Sequence, residues 1–323
     1  MWPKDAATNE PDAGAVLPAG CHGLAAIGQL EIGRGGAVVH RSDATISDVD
    51  FFGPVYMVRG SAFGSEFNFK LALCLVTVGL VAWDRYRNRR WDYAWVLLVG
   101  AVLLTLAEIY MQLRGTRSLP DRVLFGRELP LAVSALLQGI SEGAFVAVFG
   151  LFFADRILQR KSRKQALVGL GLTMCLVALL VVLRAAHSDS SGQAAGRRDP
   201  AAVGPLMLLV LVLAFDTWFW WRRPQFRRRS LLMAAAMLAL VATWTVTSTL
   251  TGGRWVKVPG ATSGSFQRAS AAVSISALTF DVVFEVVMAS VPFFAIPALL
   301  GMMKPSPSQS MPRSPGKGVV QGR

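Results

Sequence analysis

Four carboxylates stand well inside apolar runs of this chain: Glu108, Glu142, Asp281 and Glu285. Two of them share the stretch LTFDVVFEVVMASVPFF (278–294), four residues apart and so on one face of a helix. An acid at the centre of a bilayer-spanning helix costs roughly 2.5–3.5 kcal/mol, so four cost on the order of 10 kcal/mol before any compensation. That is as large as the stability margin of a whole domain. Such groups must face a common interior, a water-filled space or a bound ion. The apolar centres of the runs hold no Lys, Arg or His, and the acids are therefore expected to lack a protein counter-charge. Either they keep their protons, or a cation from solution or a cationic solute balances them. Both outcomes suit a proton or cation pathway.

Other polar residues fall at helical spacing around these acids. Ser134, Gln138, Ser141 and Glu142 form one stripe, and Thr243, Thr247 and Thr251 form another. Gly139 and Gly143 flank Glu142 and allow close backbone approach. The candidate pathway residues are thus Glu108, Gln138, Glu142, Asp281, Glu285, Ser134, Ser141, Thr243 and Thr247, expected to line a polar chamber biased to the outer side. Packing is the competing account, because Ser, Gln and protonated Glu bond across helices for about 0.6 kcal/mol each. Asp155 and Asp216 lie nearer helix ends, where pairing with Arg156 and Arg222 is expected.

These side chains need a scaffold, and the hydropathy pattern supplies one. A spanning helix takes about 20 apolar residues. Seven runs reach or approach that length: 67–83, 93–113, 128–154, 165–184, 202–221, 231–251 and 271–300. They are continuous and too long for the alternating strands of a membrane barrel. The expected architecture is an all-α membrane protein, a seven-transmembrane-helix bundle over 67–303. Pro292 and Pro297 are placed to kink the last helix.

The loops set the orientation. DRYRNRR (84–90), DRILQRKSRK (155–164) and RRPQFRRR (222–229) are short, dense in Arg and Lys, and share a side if the runs alternate. The positive-inside rule then puts the N-terminus outside and the C-terminus in the cytoplasm. Aromatic anchors agree: Trp83, Trp91 and Tyr93 flank the first of these loops, and Trp218, Trp220 and Trp221 precede the third. Residues 1–66 read as an extracytoplasmic tail. Its first 56 residues lack sustained periodicity, and read either as a disordered segment or as an over-extended start, with Met57 the native one. Residues 304–323 read as a disordered, Pro/Ser-rich cytoplasmic tail.

Composition narrows the function classes. Of 323 residues, 53% are hydrophobic and 16% charged, against about 25% charged in soluble domains. The net charge of +13 would suggest nucleic acid in a soluble protein. Here it lies in short loops, so no nucleic-acid partner is expected. Cys21, Cys74 and Cys175 make no CxxC, and His22, His40 and His187 are scattered, so no metal site or cofactor is expected. No HExxH or GxSxG is present, and Asp281 with Glu285 on one rod makes a poor acid dyad. An enzyme is the least favoured class. A retinal pump would need a lysine in 271–300, which has none.

Helices one and five both end in aromatics and a basic loop, and helices three and seven both carry a glutamate, a faint 3 + 1 + 3 repeat. The sequence therefore points to a proton- or cation-coupled transporter or channel in the plasma membrane. Its partners would be the lipid bilayer and protons, cations or a small cationic solute, with a homo-oligomer left open. A receptor-like or scaffolding protein with structural carboxylates is the alternative.

Overall fold

The computed structural model describes residues 54–58, 66–114, 122–159, 161–186, 194–198, 203–257 and 266–305. The readings made for 1–53 and 306–323 lie outside the described residues. Long helices dominate: α1 (Glu66–Asn88), α2 (Asp92–Leu113), α3 (Leu131–Gly139), α4 (Phe145–Leu158), α5 (Arg163–Ala186), α6 (Val203–Arg222), α7 (Pro224–Leu250) and α8 (Ala271–Leu299). A π-helical turn, Ile140–Ala144, joins α3 to α4, so Leu131–Leu158 is one unbroken helical stretch. Each of the seven apolar runs thus coincides with a helical stretch. Among the described residues, six helical stretches are long and apolar enough to cross a bilayer: α1, α2, Leu131–Leu158, α5, α7 and α8. The fold is that of a mostly helical, multi-pass integral membrane protein.

Burial follows from which helix faces neighbours and which faces lipid. The core joins Val148 and Leu151 of α4, Met233 and Met237 of α7, and Phe293 and Phe294 of α8, with Tyr93 and Val96 of α2 beside them. Gly150 lets α4 approach α7 closely: a Cβ there would meet the Met233 carbonyl oxygen at 2.9 Å. By contrast, α5 exposes Leu167, Val168, Leu172, Leu176 and Leu179. A row of exposed leucines on one rod is what a lipid-facing helix requires. Helix α8 continues through Pro292 and Pro297 without a break.

Two features depart from the sequence reading. The basic segments read as loops lie largely in helix: α1 carries 84–88, α4 and α5 carry 155–158 and 163–164, and 222–229 is mostly helix. Only Arg223 separates α6 from α7, because Pro224, with its preset φ, starts α7 in its first turn. And the connecting segments are not purely irregular. β1 (Val55–Val58), β4 (Ala194–Arg198), β5 (Arg254–Lys257) and β6 (Phe266–Arg268) form an antiparallel sheet in the order β4-β1-β5-β6. Tyr56 pairs with Trp255, and Trp255 with Arg268. Strand β1 therefore lies within the segment read as tail, and includes residues before Met57. The sheet gathers the chain before α1, between α5 and α6, and between α7 and α8 at one end of the bundle. A separate hairpin, β2 (Val123–Leu124) with β3 (Arg127–Glu128), turns on Phe125 and Gly126, at φ 48° and 80°. Two positive φ values in a two-residue loop are the type I′ geometry that matches strand twist.

Candidate functional site

The cluster at the start of α1 begins with a helix-surface rule. Glu66 and Lys70 are four residues apart in the first turns of α1, and Lys70 Nζ sits 2.6 Å from Glu66 Oε1. Lys70 is buried, 3% exposed. Its ammonium donates to Gln138 Oε1 on α3 and lies 3.6 Å from Glu142 Oε1 in the π turn. The Phe67 ring faces the same ammonium, its centroid 4.7 Å away. Arg184, near the end of α5, reaches Glu66 Oε2 at 3.5 Å. Two carboxylates and two cations from three helical stretches thus meet around Lys70. Glu142 is the most accessible acid of the group, with its side chain 37% exposed against 17% for Glu66.

Small residues close the α2 side of this cluster. A Cβ on Gly139 would meet the Thr105 backbone nitrogen at 2.8 Å, and one on Gly143 would overlap Leu104. The two glycines flanking Glu142 therefore seat the π turn against α2, as their spacing suggested. Thr105 Oγ1 and Gln138 Nε2 are buried and find no hydrogen-bond partner among the described residues. A π turn widens the helix by one residue and frees backbone groups from the usual ladder, and such turns are frequent at functional sites.

A second site joins the sheet to the bundle. Arg254 of β5 places Nη2 2.5 Å from Asp281 Oδ2 on α8, with the two side chains 4% and 2% exposed. Val55, Val273 and Ala277 pack as a small apolar patch at the same end. The third site lies at the other end of the bundle. Arg229 of α7 donates Nε to Asp155 Oδ1 and Nη1 to Asp92 Oδ2, both at 2.6 Å, and Nη1 also reaches the Lys304 carbonyl at 3.2 Å. Tyr93 donates its hydroxyl to Asp155 at 3.4 Å. Asp84 is buried nearby, taking a bond from Asn88 at 2.6 Å.

The expectation that the inner acids lack a protein counter-charge is therefore wrong for Glu142 and Asp281. Their cations come from outside the apolar centres: Lys70 from the edge of the first run, Arg254 from an extramembrane strand. Long stems carry both charges inward. Of the nine candidate residues, Gln138 and Glu142 come together around Lys70. Asp281 instead belongs to the sheet contact, and Glu285, one turn deeper on α8, is half-buried. Glu108 is buried and accepts from Gln112 Nε2 at 2.8 Å on its own helix. Ser134, Ser141 and Thr243 donate to backbone carbonyls of Leu131, Gln138 and Ala239. Thr247 is half-buried, and its carbonyl accepts from Thr251.

The expected partners at the helix ends also change. Asp155 takes Arg229, not Arg156, whose guanidinium lies 4.9 Å over the Trp83 ring. Asp216 is buried, with Oδ1 unpartnered among the described residues. Among those residues no group of three or more His, Cys, Asp or Glu is arranged to hold a metal ion. No protein-family model, curated protein or solved structure matches the chain.

Proposed function

We propose that the chain is a seven-helix transporter or channel, coupled to protons or cations, in which Glu142 is the exchanging group. The observation that carries this reading is the position of Lys70, buried between Glu66, Gln138 and Glu142. Its contact with Glu142 is the looser one, and Glu142 is the acid that solvent or a small cation reaches most easily. Protonating Glu142 leaves Lys70 to Glu66 and Gln138; a cation bound at Glu142 pushes Lys70 the same way. Either event changes the charge between α1 and the π turn, where the backbone departs from the regular ladder.

Membrane placement has separate support. The six apolar stretches fit a bilayer, and α6 adds a seventh helix of 20 residues. The sheet at one end and the Arg229 contacts at the other fit segments that cross alternately. Basic segments on the Arg229 side favour an outer N-terminus and the plasma membrane. The test is flux in proteoliposomes under a proton or monovalent-cation gradient, with small organic cations as solutes. Gradient-dependent flux is expected; none across that panel would refute the reading.

The receptor-like or scaffolding reading has one observation in its favour. Arg229 with Asp92, and Arg254 with Asp281, are buried pairs, and Arg229 with Asp155 a partly buried one, of the kind that fasten elements in one register. It predicts that acid-to-amide changes lower folding yield and leave no separate activity defect.

A further inference from the structure

The basic end of α7 carries more charge than the bundle uses. Phe226, Arg229, Ser230 and Met233 are buried, an i, i+3, i+4, i+7 stripe that fixes how α7 is rotated. Arg229 enters the bundle, and that rotation turns Arg227 and Arg228 outward, where both are exposed. Among the described residues no carboxylate pairs with either arginine. Together with Pro224, Leu231 and Leu232 they line an open groove of about 380 Å³. All five positions share one helix face. Two guanidinium groups stand at its head, and two leucines lie one turn deeper.

The depth of this groove is marked independently. Trp218 and Trp221, at the end of α6 just before α7, are exposed, as interfacial anchors are. A groove beginning at that level has its arginines among headgroups and its leucines among acyl chains. We propose that it is a binding site for an anionic phospholipid of the leaflet on this side, phosphate on Arg227 and Arg228, acyl chain along Leu231 and Leu232. Guanidinium groups suit phosphate because they offer paired, planar donors. The inference needs only the membrane placement and is independent of any transport activity.

Native mass spectrometry of the full chain in neutral detergent tests it, titrating dioctanoyl phosphatidylglycerol and, separately, dioctanoyl phosphatidylcholine. The first anionic lipid should bind wild type and be weakened on the order of 30-fold by Arg227→Gln with Arg228→Gln. Lys161→Gln with Lys164→Gln, at the basic start of α5, should leave its affinity unchanged. Should the double Gln variant not fold, Arg227→Lys with Arg228→Lys keeps the charge and should still lose several-fold, roughly the value of paired donors. Four results would overturn the site: wild-type affinity in the arginine variants, equal loss in the Lys161→Gln with Lys164→Gln variant, equal binding of phosphatidylcholine, or displacement of the lipid by equimolar inorganic phosphate.

Discussion

Arg229 grips Asp155 at two points, Nε to Oδ1 at 2.6 Å and Nη2 to Oδ2 at 2.7 Å, and so ties α7 to α4 beneath the core. Its third nitrogen takes Asp92 of α2. Removing this cation would strand Asp92 in a buried place and leave Asp155, which is partly exposed, without its arginine. Arg229→Met should therefore lower stability by about 3–5 kcal/mol, read as thermal unfolding in detergent. Arg229→Lys should recover only part, because one ammonium cannot reproduce the planar fork that reaches both acids. Wild-type stability in Arg229→Met would show that the pair is not a fastener.

The seating of the π turn on α2 gives a steric prediction. In Gly139→Ala the new methyl would meet Thr105 backbone, which cannot swing aside as a side chain would. A loss of about 1–3 kcal/mol is expected, the usual range for overpacking. Gly79→Ala meets nothing within 4 Å on exposed α1 and should be neutral or slightly stabilising. Equal effects of the two changes would show that α2 and the π turn are not in close contact.

Asp216 offers a gain. Its Oδ1 is buried without a partner among the described residues, and an unsatisfied buried group costs about 1–3 kcal/mol. Asp216→Asn changes little, since an amide is equally unserved. Asp216→Leu should raise the unfolding temperature. A fall would mean that the carboxyl has a partner in the membrane-embedded protein.

The Arg254–Asp281 contact holds the sheet to α8. Asp281→Asn should speed hydrogen exchange at the β5 amides, Arg254–Lys257, while the amides of α4 and α7 stay protected. Slow exchange throughout would show that sheet pairing alone holds β5 in place.

Much of the scaffold was legible because spanning helices are long and apolar. All seven runs became helices, and the glycines around Glu142 do mark a close approach. The reading started α7 seven residues late, at 231 rather than Pro224, since Arg227, Arg228 and Arg229 look like a loop until Pro224 is recognised as a helix start. The ion pairs were not legible. Lys70 and Glu142 are distant in sequence, Arg254 sits in a polar connection, and nothing local tells which arginine of RRPQFRRR turns inward. Only Glu66 with Lys70 left a signal, their four-residue spacing. The π turn and the sheet left none that pattern could detect. The π turn adds one residue to an apolar helix, and the sheet strands pair only across long separations.

The central claim concerns Glu142, and one comparison tests it most directly. Wild type and Glu142→Gln are reconstituted at equal folded yield, and gradient-driven cation flux is followed as external pH is varied. Glutamine keeps the shape and the hydrogen-bonding capacity beside Lys70 but cannot ionise. The account predicts normal yield with flux, or its dependence on pH, abolished. Wild-type flux with an unchanged pH profile would contradict it.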